Sequence, residues 1–269
     1  MKATAPASTA NLGPGFDCFG AAVNLSVEIE LGDGDLPKIV QRAIRAVAGD
    51  VDVGGTLSSE IPPGRGLGSS GALIAAGLML GCAIAEREPD RDELLLLGTP
   101  IEGHPDNLAA SLFGGITNVL PDSSVMRFDP SDAVHPLILV PAEQLATKKA
   151  RKALPESVPH RDAVVSVARS AGLLAMLTGA AQATPERLLE CTEDVLHQPY
   201  RAELMPKTTE AIAQLRGLGI AAAVSGAGPS IVCLVVRAVE GIESRIADAL
   251  EGWRHLDLDW DLGGAKVVR

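Results

Sequence analysis

Glycine, proline and serine are arranged along Ile61 to Ala72 in a pattern suited to holding a phosphate. Pro62, Pro63, Gly64, Arg65, Gly66, Leu67, Gly68, Ser69, Ser70, Gly71 and Ala72 run directly into an apolar helical stretch. Gly64, Gly66 and Gly68 lack a Cβ, so the backbone there can take φ > 0 and come close to a bulky anion. Ser69 and Ser70 fall where the helix starts, and the free N–H groups and positive dipole end at such a start attract phosphate. The dipole alone contributes ~0.3–1 kcal/mol, up to ~2 when partly buried, so several N–H groups must converge on the anion. Neither common nucleotide fingerprint fits. No Lys lies between Gly64 and Arg87, which excludes a Walker loop, and Ser69 stands where the Rossmann pattern needs a third glycine. The stretch is a third kind of cradle or, more plainly, a Pro-Gly turn before a buried helix.

Three further clusters carry side chains able to do chemistry. Pro6 to Asp17 is a loop of small residues with an amide, Asn11, and a carboxylate, Asp17, six apart; either can also serve as a backbone cap. Glu102-Gly103-His104-Pro105-Asp106-Asn107 crowds acid, imidazole and amide into a turn that opens a helix, where Asp106 or Asn107 can act as N-cap. Ser225-Gly226-Ala227-Gly228-Pro229-Ser230 is a glycine turn between two apolar strands, which a simple hairpin also explains.

The elements that must position these clusters follow from periodicity. Val23 to Leu31 alternates as a half-buried strand with odd positions inward. Leu36, Ile39, Val40, Ala43, Ile44 and Val47 form a helical stripe. A short strand over Thr56 to Ile61 leads into the cradle, helices start at Asp92 and Asn107, and Gly114 to Leu120 and Leu137 to Val140 read as strands. A basic segment, Thr147 to Lys152, precedes helical patterns at Ala163 to Thr178, Pro185 to Leu196 and Thr208 to Leu218. Strands at Ala221 to Ser225 and Ser230 to Val236 flank the second glycine turn, and Ile242 to Leu250 is a last helix.

At 269 residues the chain sits where one core tends to split, so two lobes are expected. A net charge of −11 argues against nucleic acid as a partner, and 3% aromatic residues supply few stacking platforms. Any anion must be held by local basic groups. Cys18, Cys82, Cys191 and Cys233 show no CxxC spacing, which points away from a zinc site or disulfide framework and toward a cytoplasmic setting. The chain passes from Met1 and Lys2 into small polar residues, so no secretory leader is expected. The apolar run Gly71 to Ala85 is shorter than the ~20 residues of a membrane span.

Taken together, the cradle, the N-terminal Ser-Thr-Ala-Asn-Leu-Gly-Pro-Gly-Phe-Asp and the Ser-Gly-Ala-Gly-Pro-Ser turn resemble, in order, the three motifs of the GHMP kinase superfamily. The likeness spans most of the chain. Glu-Gly-His-Pro-Asp-Asn before Gly114-Gly115, Thr147-Lys148-Lys149-Ala150-Arg151, and Tyr200-Arg201 before Met205-Pro206 are similar to the homoserine kinase family within it. The resemblance implies an α+β, two-lobed fold. Its N-terminal lobe, 1–142, would carry the nucleotide and a left-handed βαβ crossover, an exception to the usual hand; its C-terminal lobe, 143–269, would be ferredoxin-like. It further implies phosphorylation of L-homoserine by ATP with Mg2+, in threonine biosynthesis, with a homodimer left open. Arg151 and Arg201 suit an α-carboxylate, since a guanidinium fork matches two oxygens. Asp17 would pair with the ammonium, while Asn11 and Asn107 would orient the reacting hydroxyl, with His104 and Thr147 also on the substrate side. Asp106 is either a base or the residue that fixes the turn presenting Asn107. Gly226 and Gly228 join the cradle in binding ATP. For Mg2+, Ser70 supplies a hydroxyl and Glu102 the carboxylate, although one alignment puts Pro100 at that place. The chain departs from its relatives in a trimmed turn between Leu31 and Leu36 and in Asp35, which stands where relatives set an Asn against adenine. A mevalonate-type kinase and a non-catalytic ligand sensor on the same fold are the competing readings.

Overall fold

The computed structural model describes residues 1–268; the last residue of the expected second lobe lies outside them. β1 (Lys2–Ala10) and β2 (Phe19–Leu31) form an antiparallel pair whose register shifts between Pro6 and Ala7. The composition of Pro6 onward predicts a loop, but Pro6 to Ala10 belong to β1. Alternation fails to mark them because both faces are buried, with Ala7, Ser8, Thr9 and Ala10 all inaccessible. In β2 the expected alternation is present, with Val27 and Ile29 buried between part-exposed neighbours.

α1 (Lys38–Ala48) buries Val40, Ala43 and Ile44 of its stripe. β3 (Gly55–Ser59) leads through the glycine turn to α2 (Ser69–Ile84), which is buried almost all round. α3 (Arg91–Glu102) starts at Asp90, whose carboxylate accepts from the N–H groups of Asp92 and Glu93. α4 (Asp106–Phe113) follows, then β4 (Ile116–Val119) and β5 (Val125–Phe128).

β6 (Val134–Val140), buried throughout, opens the second sheet. A helical excursion comes next, through α5 (Thr147–Lys152), α6 (His160–Leu177), α7 (Pro185–Cys191), α8 (Gln198–Arg201), a 3-10 turn at Ala202–Leu204 and α9 (Pro206–Gly217). The helix expected to run to Leu196 stops at Cys191. The Asp194 carboxylate accepts from the N–H groups of Leu196, His197 and Gln198, which turns the chain and starts α8. The chain closes with β7 (Ala221–Val224), β8 (Ile231–Val236), α10 (Ile242–Ala249), β9 (Arg254–Asp257) and β10 (Lys266–Val268).

Two antiparallel sheets result. The first has the order β10-β1-β2-β4-β5, with β3 beside the far half of β2, and the second has the order β7-β8-β6-β9. β6, which precedes residue 142, thus belongs to the second sheet, and β10, at the chain's end, belongs to the first. One hydrophobic cluster runs from Ala3, Val27, Ile74 and Leu108 to Val134, Ile138, Leu173 and Val232, so the two sheets share a core. A second cluster fills the space between the other face of the second sheet and α9 and α10, around Leu139, Leu215, Cys233 and Ile246. Among the described residues no helix is long and apolar enough to cross a membrane.

Candidate active site

The glycine turn has the left-handed backbone that its composition suggests, with φ of 74° at Gly66 and 65° at Gly68. Both are glycine because other motifs press on them. A Cβ at Gly66 would lie 2.2 Å from the Ser225 carbonyl oxygen, and one at Gly68 would lie 2.0 Å from Ser8 Oγ. Gly68 is the N-cap of α2 and no side chain caps that end, which leaves the first-turn N–H groups facing a pocket. Gly66, Leu67, Gly68, Ser69 and Ser70 line it, while Gly71 and Ala72 are buried behind them. Arg65 points elsewhere: its guanidinium donates to the carbonyls of Pro141, Pro63 and Ala142 at 2.9–3.1 Å. With Pro62 and Pro63 it lines an adjoining groove beside Pro141 and Arg254, and the Gly64 carbonyl accepts from Leu145 N–H.

The N-terminal motif and the second glycine turn are joined to this cradle. Asn11 Nδ2 donates to the Gly226 carbonyl at 2.8 Å, and its Oδ1 accepts from Asp17 N–H at 3.1 Å. Gly226 N–H donates in turn to the Ala10 carbonyl, and Ser225 Oγ lies 2.7 Å from the Gly66 carbonyl. Gly226 and Ala227 reach the pocket wall; Gly228 sits behind, where a Cβ would meet Met205 Sδ at 2.7 Å. Asn11, Leu12 and Asp17 are non-glycine residues with positive φ, the strained backbone by which this loop turns three side chains in a short span.

The acidic turn supplies the opposite wall. Ser70 Oγ donates to Glu102 Oε1 at 2.6 Å. Burial raises the Glu102 carboxyl above its ordinary value against the opposing pull of the Ser70 hydrogen bond and of His104. His104 Nδ1 lies 2.6 Å from Asp106 Oδ1, and its Nε2 lies 3.9 Å from Glu102. Burial pushes the imidazole down, but the Asp106 hydrogen bond and the charges of Asp106 and Glu102 outweigh it, so its pKa ends above the ordinary value. Asp106 Oδ1 also accepts from Asn107 N–H at 2.8 Å, and Asn107 Oδ1 accepts from Ser8 Oγ at 2.9 Å. Asp106 Oδ1 thus ties His104 and the Asn107 backbone together in one turn.

The cations close the pocket. Thr147 opens α5, and one turn on Arg151 forms a bidentate pair with Asp17 at 2.7 and 2.8 Å. Arg201, only 2% exposed, ends α8. Its Nε donates to the Ala150 carbonyl at 3.2 Å, and its Nη1 meets His197 Nδ1 at 3.1 Å and the Gly226 carbonyl at 3.4 Å. Arg201 Nη2 has no hydrogen-bond partner among the described residues. Burial and the Arg151 charge push the Arg201 pKa down, yet a guanidinium stays cationic at neutral pH. Phe16 lies beneath both guanidiniums, 5.7 Å from Arg151 and 5.2 Å from Arg201. Sequence reasoning did not assign roles to Phe16, Asp194 or His197; the spacing of His197 four residues before Arg201 was the available signal. Asp35 is exposed in the turn beside Gly54 and Gly55, at the end of β3 away from the cradle.

The pocket thus offers a phosphate-attracting helix end, a carboxylate with a hydroxyl, and a wall bearing two guanidiniums and a carboxylate. Among the described residues no group of three or more His, Cys, Asp and Glu could hold a metal ion. Glu102 and Ser70 nevertheless fit Mg2+, which takes hard oxygens and one or two carboxylates, with substrate phosphates supplying other ligands.

Known proteins share this fold. The family pattern described as GHMP kinases N terminal domain matches residues 36–115, and that described as GHMP kinases C terminal matches residues 183–252. The chain belongs to the GHMP kinase family. Within it, the chain is similar to a homoserine kinase of Streptomyces avermitilis, 38% identical across 100% of this chain and 95% of that protein. A homoserine kinase of Leifsonia xyli is 42% identical over 98% of this chain and 90% of its own. Among solved structures, the crystal structure of homoserine kinase from Cytophaga hutchinsonii superimposes with a TM-score of 0.83 at 25% identity, covering 100% of this chain and 97% of that one.

Proposed function

We propose that the protein transfers a phosphoryl group from ATP to the hydroxyl of L-homoserine, giving O-phospho-L-homoserine and ADP in threonine biosynthesis. The observation that carries this reading is the pocket itself, where the uncapped start of α2 faces the charged wall of Asp17, Arg151 and Arg201. Homoserine brings a carboxylate, an ammonium and a primary hydroxyl. Arg201 Nη2 and Arg151 are the donors for the carboxylate, and Asp17, held against Arg151, receives the ammonium. Asn107, fixed by Ser8 and Asp106, and Asn11, fixed by Gly226, orient the hydroxyl with neutral amides that do not compete for its proton. His104 and Thr147 complete the substrate side.

The N–H groups of Gly68, Ser69 and Ser70 hold the transferred phosphate, with Gly226 closing the far side. Glu102 and Ser70 are the residues that would hold Mg2+, which when bound neutralises charge on the phosphate oxygens. Phosphoryl transfer passes through a loose, charge-dominated transition state, so positioning and electrostatics do most of the catalysis. Asp106 accordingly acts by holding Asn107 in place. We extend the proposal to a left-handed crossover in the first lobe, a ferredoxin-like second lobe whose first strand is β6, so that the lobes divide before Val134 rather than at residue 142, and a cytoplasmic enzyme.

The test is ADP release with Mg-ATP and L-homoserine beside mevalonate, pantoate, shikimate and galactose. Turnover confined to homoserine is expected. Turnover of another acceptor would keep the kinase and discard the Arg151 and Arg201 assignment; ATP binding with silence toward all five would favour a ligand sensor.

A further inference from the structure

His197 is fully buried and touches none of the reacting groups. Its surroundings nevertheless order it completely. Nε2 lies 3.0 Å from the Gly13 carbonyl and Nδ1 lies 3.1 Å from Arg201 Nη1, so the ring donates at Nε2 and accepts at Nδ1. The ring stacks on Phe16 at 5.2 Å between centroids and 29° between planes. Its backbone N–H is held by the Asp194 carboxylate, which is equally inaccessible and stands 3.5 Å from Nε2. Burial pushes the imidazole pKa down, which favours the neutral form that this pattern needs. One ring therefore connects the strained 11–17 loop, which carries Asn11 and Asp17, to one nitrogen of Arg201. Since Nε is committed to Ala150 and Nη1 to His197 and Gly226, the planar guanidinium is fixed with Nη2 as its one unpaired nitrogen, in a residue that lines the pocket.

We propose that His197 is a positioning residue that aims Arg201 at the substrate carboxylate and thereby sets specificity for an amino-acid acceptor; this rests on the homoserine reading above. The two ring nitrogens can be tested separately. Asn places an amide oxygen near the position of Nδ1, whereas Gln places its amide near that of Nε2. His197→Asn is expected to retain the Arg201 contact and keep the homoserine KM within about twofold, while His197→Gln retains only the Gly13 contact and raises it roughly tenfold. The ATP KM stays unchanged in both. In an Arg201→Ala background the difference between the two variants should vanish, because the interaction they probe is gone.

Equal effects of Asn and Gln, a parallel rise in both KM values, or a difference that persists without Arg201 would overturn the proposal. If Arg201→Ala alone leaves the homoserine KM unchanged, the carboxylate role of Arg201 fails first, and the positioning role falls with it. Thermal unfolding of each variant shows that the comparison is made between folded proteins.

Discussion

Arg151 and Arg201 differ in what their removal leaves behind. Arg151→Ala strips Asp17 of its bidentate partner at the pocket mouth, and Arg201→Ala empties a buried position and frees a carbonyl at Ala150. A charge-assisted hydrogen bond contributes ~1.5–3 kcal/mol, so each variant should raise the homoserine KM roughly 10- to 150-fold in steady-state kinetics. Arg201→Ala should also lower Tm more, because its side chain is the buried one. Glu102 poses the opposite relation between activity and stability. Its folded pKa is raised by burial, so as pH climbs past the ordinary carboxyl value the unfolded chain releases its proton first and folding loses stability. Glu102→Gln should therefore abolish most turnover, yet unfold at an equal or higher temperature at pH 7, with the gap to the parent closing as pH falls toward 4.5. His104 behaves in the reverse sense. Its raised folded pKa means that the Asp106 pair stabilises fully below about 6.5 and is lost as pH rises through the folded value. The Tm difference between the parent and His104→Gln should accordingly shrink from pH 6 to pH 9. At this scale the sequence marks a cluster well where residue types are unusual for a turn, as at Glu102 to Asn107, whose polar side chains line one pocket. It misleads at Arg65, whose place in the cradle suggests an anion contact but whose guanidinium reaches the carbonyls of the loop after β6. It gives only a weak signal for His197, the four-residue spacing to Arg201, since an imidazole before a short helix looks much the same whether it faces solvent or an arginine.

At the level of elements, the cradle depends on how closely β1, α2 and α4 approach. Gly68 has φ of 65°, and a Cβ there would lie 2.0 Å from Ser8 Oγ and 2.9 Å from Asn107 Oδ1. Gly68→Ala therefore strains the N-cap of α2 and pushes Ser8 off the amide it holds. The expected outcome in kinetics is a loss of kcat with both substrates' KM values raised, and in thermal denaturation a cost of about 1–3 kcal/mol. A variant with parental kinetics would show that the cradle, Ser8 and Asn107 are not one unit. The same crowding explains which elements can be read from sequence. α1 and the later part of β2, from Val23 on, each have one buried and one more exposed face, so their periods of 3.6 and 2 are visible. β1 has neither, because a strand of Ala, Pro, Ser and Thr covered on both faces has the composition of a loop. β9 and β10 are four and three residues long, too short for a period to appear, and they exist because β6 and β1 offer them a free edge. The end of α7 was hidden for a different reason: apolar residues continue past Cys191, but Asp194 claims three N–H groups and redirects the chain.

For the whole molecule, two sheets suggest two folding units, but the packing suggests one. The main core cluster includes residues of both sheets, and the last strand of the chain lies at the edge of the first sheet beside β1. The segment leading to β10 joins them again. Trp260 bridges to Val23 of β2 in the first sheet, and its Nε1 donates to the Val134 carbonyl at the start of β6 in the second, at 2.8 Å. Asn24 N–H donates to the Asp259 carbonyl, and Asp261 N–H to that of Ala22. A lobe that unfolded alone would expose its half of a shared apolar cluster and leave these backbone groups without their partners, which couples the two lobes in unfolding. Calorimetry should therefore show one transition, with calorimetric and van't Hoff enthalpies in agreement. Trp260→Ala removes a large, part-buried ring together with the hydrogen bond to Val134, a loss of roughly 2–3 kcal/mol. For a chain of this size that corresponds to a fall of about 5–10 °C in Tm, still in a single step because the rest of the shared core remains. If the substitution instead splits the melt into two transitions, with ATP protecting only one, the lobes are independent units joined mainly through Trp260. The pocket between Ser70 and Arg201 would then be a site between two bodies free to move, rather than one held by a continuous core.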